Sequence, residues 1–184
     1  GISLGGMLAP RAAAFNKHIK RVVAWSVFPN FLQVILEGTL KNAGMIVKSL
    51  LKMRMDFVIN VAMNFVLKYG KNETIKWGLI HGMNSYGADS ASDYLRKMDK
   101  FQITNVAHLI DQDILILGAN KDHFIDYHSI GGEINSFSNV KSLTFKLLTD
   151  KEDAGNRCNM GNSKLALDEI MNWIEFIKFY NVFK

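Results

Sequence analysis

Three short apolar runs limit this chain more than any other feature. Residues 21–28 (RVVAWSVF), 113–118 (DILILG) and 142–148 (SLTFKLL) are rich in β-branched, leucine and aromatic side chains. The first two lack the apolar–polar alternation of a half-exposed strand. Such runs suit strands covered on both faces, as in a parallel sheet. Pro29 and Asn30 end the first run. Between the first and second runs the pattern is helical, from Phe31 to about Phe101. Phe57, Val61 and Phe65 repeat at four-residue spacing, as do Val58, Ala62 and Val66. These rows predict one apolar stripe on a helix, read most simply as helical core. Gly38, Gly44, Gly70 and Gly82 mark expected bends or ends. Ala166, Ile170, Trp173, Ile174 and Ile177 predict the buried face of a last helix. Strand, helices, strand, strand, helix is an α/β order with a parallel sheet, and the middle helices are an insertion into it.

Composition removes several functional classes. The 184 residues carry a net charge of +5, but lysine and arginine are scattered among aspartate and glutamate. A nucleic-acid binder concentrates its basic residues on one face or arm, so no nucleic-acid partner is expected. The single cysteine, Cys158, excludes an internal disulfide framework and a cysteine-built zinc site. A reducing, cytoplasmic setting is the default for such a chain. The most apolar region, residues 43–67, is broken by Lys48, Lys52, Arg54 and Asp56, so stable membrane insertion is not expected. Lys41, Lys48, Lys52, Arg54 and Lys68 could instead meet an anionic lipid surface, although a solvated helix face is the plainer reading. Six of the nine methionines fall in the helical block, where such side chains also suit an adaptable cover over an apolar ligand. No metal-ligand spacing, Walker loop or dinucleotide fingerprint is visible, so neither a metal nor another cofactor is expected.

One segment carries a chemical signature. Gly1-Ile2-Ser3-Leu4-Gly5 satisfies G-x-S-x-G, a strand-to-helix turn that lifts a serine hydroxyl out of a sheet. The two glycines are expected to sit where a Cβ would clash. The next residue, Leu4, would aim its N–H at a developing oxyanion. The helix that must follow is legible in Ala12, Ala13 and Ala14. In the chain order of such sites an acid follows a later strand, and Asp122 lies at that distance after 113–118. His123 adjoins it and His128 lies slightly further on. A base placed at either residue is an open alternative.

Residues 1–15 (GISLGGMLAPRAAAF), 114–125 (ILILGANKDHFI) and 158–167 (CNMGNSKLAL) resemble α/β-hydrolases. They are most similar to the lidded bacterial dipeptidyl-aminopeptidase and acylaminoacyl-peptidase-like serine hydrolases. The resemblance implies the C-terminal half of a family domain, beginning at the nucleophile elbow. It divides the chain into 1–29 (elbow, helix and strand), 30–100 (helical lid) and 101–184 (the rest of the core). It implies Ser3 as nucleophile, Asp122 as the orienting acid, and the Leu4 N–H in the oxyanion hole. The substrate would be a small carboxylic ester or a short peptide-like amide. In the family a histidine precedes the cysteine of the last segment, whereas here Arg157 stands at that position. Arginine stays protonated and cannot take the serine's proton. Two expectations follow: a serine hydrolase impaired at its base, or a catalytically weak or inactive relative that binds a small apolar ligand. A half-domain is further expected to need its missing N-terminal half or a second copy as partner, because one side of its sheet lacks strands.

Overall fold

The computed structural model describes residues 1–39 and 43–182, so Lys41 lies outside the described residues. The chain divides into two compact units. Gly1–Pro29 with Gln102–Lys184 form one, and Asn30–Phe101 form the other.

The first unit is built on three parallel strands in the order β1 (Arg21–Trp25), β2 (Asp113–Ala119) and β3 (Ser142–Leu148). Val22 pairs with Ile114, and Ile114 with Leu143. β2 is the central strand and buried throughout, which explains its unbroken apolar run. Helix α1 (Leu4–Phe15) packs along β1 and buries Met7, Ala13 and Ala14. The last helix of the chain, Ser163–Tyr180, sets Ala166, Trp173 and Ile177 against Leu115, Leu117 and Leu148. Its Trp173 Nε1 also donates to Thr144 Oγ1 at 3.1 Å.

The first run is strand only as far as Trp25. Ser26 adopts φ 61°, which turns the chain out of the sheet. Val27 and Phe28 are fully buried all the same, so their apolarity reports core rather than strand.

The second unit is helical throughout: α2 (Phe31–Thr39), α3 (Gly44–Lys52), α4 (Asp56–Tyr69), α5 (Glu73–Ser85) and α6 (Ala91–Asp99). Leu32, Leu36, Leu51, Ile59, Leu79, Tyr94, Leu95 and Met98 form its core. Gly44 and Gly70 stand at helix ends. Gly82 lies inside α5 instead, because the Tyr94 ring rests against it and a Cβ there would come within 2.5 Å of ring atoms.

The four-residue rows of α4 are not its core face. Ile59 is 2% exposed and Met63 and Leu67 pack beside it, whereas Phe57, Val61 and Phe65 face solvent. α4 is apolar on both sides, and spacing alone does not say which side turns inward.

Candidate active site

The sheet brings three side chains to its carboxyl edge. Gly1 and Ile2 run parallel to the end of β1: Trp25 N–H donates to Gly1 O and Ser3 N–H donates to Trp25 O, both at 2.9 Å. Ser3 therefore sits where a strand gives way to α1. Its backbone has φ 57° and ψ −121°, a conformation that costs a non-glycine residue about 1–3 kcal/mol. A strained turn of this kind is what the motif predicts at its serine. Leu4 opens α1, so its N–H belongs to the first turn, where an α-helix offers no acceptor of its own.

The glycine requirement is only partly where the motif puts it. A Cβ on Gly1 would lie 2.0 Å from Gly5 O, so this glycine is sterically obligatory. A Cβ on Gly5 would meet nothing within 4 Å, whereas one on Gly6 would lie 2.5 Å from Trp25 O. The close approach of α1 to β1 belongs to Gly6, one residue beyond the pattern.

Asp122 follows the end of β2, and its side chain is 3% exposed. Its Oδ1 accepts the backbone N–H groups of Phe124 at 2.9 Å and Ile125 at 3.2 Å, which fixes the carboxylate in its own loop. Arg157 comes from the connection after β3. Its Nη2 donates to Ser3 Oγ at 2.6 Å, and its Nη1 lies 3.5 Å from Asp122 Oδ1. The second distance is a charge contact rather than a strong hydrogen bond. The guanidinium carbon stands 4.6 Å from the centre of the Phe124 ring, within cation–π range. Ser3, Arg157 and Asp122 thus form a connected line, with a permanent cation in the middle.

The Arg157 loop is held by a residue that sequence reasoning passed over. Cys158 and Asn159 both have left-handed backbones, with φ 52° and 53°. Asn159 is fully buried and accepts from Trp25 Nε1 at 2.8 Å. Its amide donates to Ala154 O at 2.6 Å and Gly118 O at 3.5 Å. One asparagine therefore ties the loop to β1 and β2. The signal for it is an asparagine, tolerant of left-handed φ, two residues after the arginine.

The two alternative histidines have contacts of their own. The His123 ring lies against Phe124, and His128 Nδ1 is 2.7 Å from Asp126 Oδ1 in the solvent. Cys158 is buried. Among the described residues, no cluster of three or more histidine, cysteine or acidic side chains is arranged to hold a metal ion. Among them, too, no helix is long and apolar enough to cross a membrane.

Compared by sequence, the chain matches no protein-family profile and none of the curated proteins. Its backbone does have counterparts. Two crystal forms of an esterase from Pyrococcus furiosus align with it at TM-scores of 0.54 and 0.52, each over 97% of this chain, with 12% and 13% identity. The fold is that of an α/β-hydrolase. The chain spans about half the length of those structures, 51% and 52%. A further structure, an E-2-(acetamidomethylene)succinate hydrolase, aligns over 95% of this chain and 65% of its own, at 12% identity and a TM-score of 0.48. In this α/β-hydrolase sheet, Ser3, Asp122 and Arg157 all follow carboxyl ends of parallel strands, the edge where open sheets of this class bind ligands.

Proposed function

We propose that this chain carries the nucleophile and acid of a serine hydrolase acting on small carboxylic esters, with turnover slowed because Arg157 stands where the base belongs. The observation that carries the reading is the 2.6 Å bond from Arg157 Nη2 to Ser3 Oγ, made on a serine held at φ 57°. The backbone matches an esterase, which supports a general hydrolase function.

The chemistry follows from the charges. Ser3 Oγ attacks the carbonyl carbon, and its proton passes to solvent hydroxide, since the guanidinium can only donate. The oxyanion that forms is met by the Leu4 N–H. The C–O bond to the leaving group breaks and leaves an acyl-serine, which water hydrolyses to the acid. Arg157 favours the serine alkoxide electrostatically but removes no proton. Asp122 supplies a counter-charge 3.5 Å from the guanidinium.

No group in this line protonates a leaving amine. An ester whose alcohol leaves as a stable anion is therefore favoured over a peptide-like amide. Peptidase activity of the dipeptidyl-aminopeptidase kind belongs to a site with its histidine.

The same bond favours a second reading, in which the site binds a small ligand without turning it over. A fluorophosphonate probe separates the two. Slow but stoichiometric labelling that disappears in Ser3→Ala supports the hydrolase. A ligand-competent protein with no labelling supports the binder.

A further inference from the structure

The outward face of α4 is the largest unexplained feature of the helical unit. At 3.6 residues per turn, Phe57, Val61, Phe65, Val58 and Tyr69 fall on one side of α4, opposite Ile59. Phe57 is 80% and Phe65 63% exposed, with Val61 and Tyr69 more than half exposed. α3 packs against α4 and continues the surface with Met45, 84% exposed, and Ile46. The turn between them adds Met53 and Met55. α4 also carries a polar row, Asp56, Asn60, Asn64 and Lys68, yet an exposed apolar patch of this kind marks a contact site.

Charge identifies what makes the contact. Residues 43–72 contain five basic side chains, Lys48, Lys52, Arg54, Lys68 and Lys71, against a single acid, Asp56. Asp56 is already paired with Arg96 of α6, so it does not neutralise them. Lys48, Lys52, Arg54, Lys68 and Lys71 are all exposed. A second copy docked face to face would set these cations against one another. An apolar protein groove would bury the aromatic residues but leave the cations without counter-charge. A surface with both hydrocarbon and anionic groups answers both demands. The helices are about 13 Å and 21 Å long at 1.5 Å per residue, too short to span a bilayer and suited to lying in its interface.

We infer that α3, α4 and their connecting turn form a peripheral docking surface for an anionic lipid bilayer. Phe57, Phe65, Met45 and Met53 enter the headgroup–acyl boundary, and the lysines meet lipid phosphates. The surface acts independently of Ser3 and implies no membrane-spanning segment.

Co-sedimentation of the full chain with vesicles tests this. The protein binds phosphatidylcholine vesicles containing phosphatidylglycerol, and binds phosphatidylcholine alone far more weakly. High salt weakens the binding. Phe57→Ser with Phe65→Ser reduces partitioning by about tenfold or more, from the lost apolar burial. Lys48→Gln with Lys52→Gln weakens binding to the anionic vesicles by about tenfold while leaving phosphatidylcholine unchanged. All four positions are exposed, so thermal melts of these variants match the parent. Ser3→Ala binds vesicles like the parent, which keeps this test separate from that of the proposed hydrolase. Absence of binding to anionic vesicles at low salt overturns the inference. Binding that survives both double variants overturns it too. A dimer of the parent that the aromatic double variant splits to monomer, without vesicle binding, assigns the face to a second copy.

Discussion

Trp25, the last residue of β1, donates its indole N–H to the side chain of Asn159 at 2.8 Å, across 134 positions of sequence. The contact links the strand beside Ser3 to the loop that carries Arg157. Asn159 completes the link through its amide, which reaches Ala154 O and Gly118 O. Asn159 is fully buried, and its two bonds to backbone carbonyls are buried with it, while the indole bond is part-buried. Removing it leaves an indole N–H and a backbone carbonyl unpaired, at about 1–3 kcal/mol for each group so stranded. Asn159→Ala is therefore expected to lower unfolding stability by about 2–4 kcal/mol, measured by urea titration. It is also expected to accelerate backbone hydrogen exchange in the residues around Arg157.

The two adjacent glycines of the elbow make opposite predictions. Gly5 lies in the first turn of α1 with open space at its Cβ, so Gly5→Ala gains helix propensity and raises stability by up to about 1 kcal/mol. Gly6→Ala forces a Cβ against Trp25 O and Ser26 O, both backbone atoms that cannot swing aside. It is expected to cost at least about 2 kcal/mol, within the range for overpacking. Paired thermal melts of the two variants check the contrast, and a rise for Gly6→Ala would refute it.

Glu133 gives the fold a pH dependence. It sits in a short helix, Ile130–Ile134, at 1% exposure, and neither carboxylate oxygen has a hydrogen-bond partner. Burial raises its pKa from 4.5 to about 8. The folded state therefore holds a proton that the unfolded chain gives up above pH 4.5. Stability from this group is fully present below that value, falls as pH rises between 4.5 and 8, and levels off above. At about 1.4 kcal/mol per pK unit the fall amounts to several kcal/mol. Glu133→Gln, neutral at every pH, should be less pH-sensitive and more stable than the parent at pH 8. Parallel denaturation curves at pH 5 and pH 8 measure the difference.

The parts of this molecule written as local pattern are legible in its residues. β2 and β3 stand where their apolar runs fall, and the last helix (Ser163–Tyr180) buries the face that Ala166, Trp173 and Ile177 mark. The serine turn is legible at Gly1, where a Cβ would lie 2.0 Å from Gly5 O. What failed depended on tertiary partners. The 57-61-65 row of α4 has the period of a core face, yet it is Ile59 on the other side that joins Leu51 and Leu95 in the core. Gly5 fits the motif while Gly6 meets the strand, which only the placement of Trp25 decides. Asn159 earns its role from three partners distant in sequence or contributed by backbone, and no spacing encodes them.

In the proposed hydrolase, Arg157 stands at the base position and holds the Ser3 hydroxyl without deprotonating it. Steady-state hydrolysis of a p-nitrophenyl ester by the parent and by Arg157→His, followed across pH, tests it most directly. With hydroxide as proton acceptor, the parent's kcat/KM should be low and rise about tenfold per pH unit through neutrality. An imidazole in place of the guanidinium should raise kcat/KM at pH 7 by at least about tenfold, a modest gain beside the losses of roughly 10⁶ in kcat seen when a triad loses its base. Its profile should flatten above about pH 6.5–7, where histidine becomes neutral. Ser3→Ala should abolish the gain. A parent that already hydrolyses the ester efficiently, is indifferent to Arg157→His and is silenced by His123→Ala or His128→Ala would contradict the account.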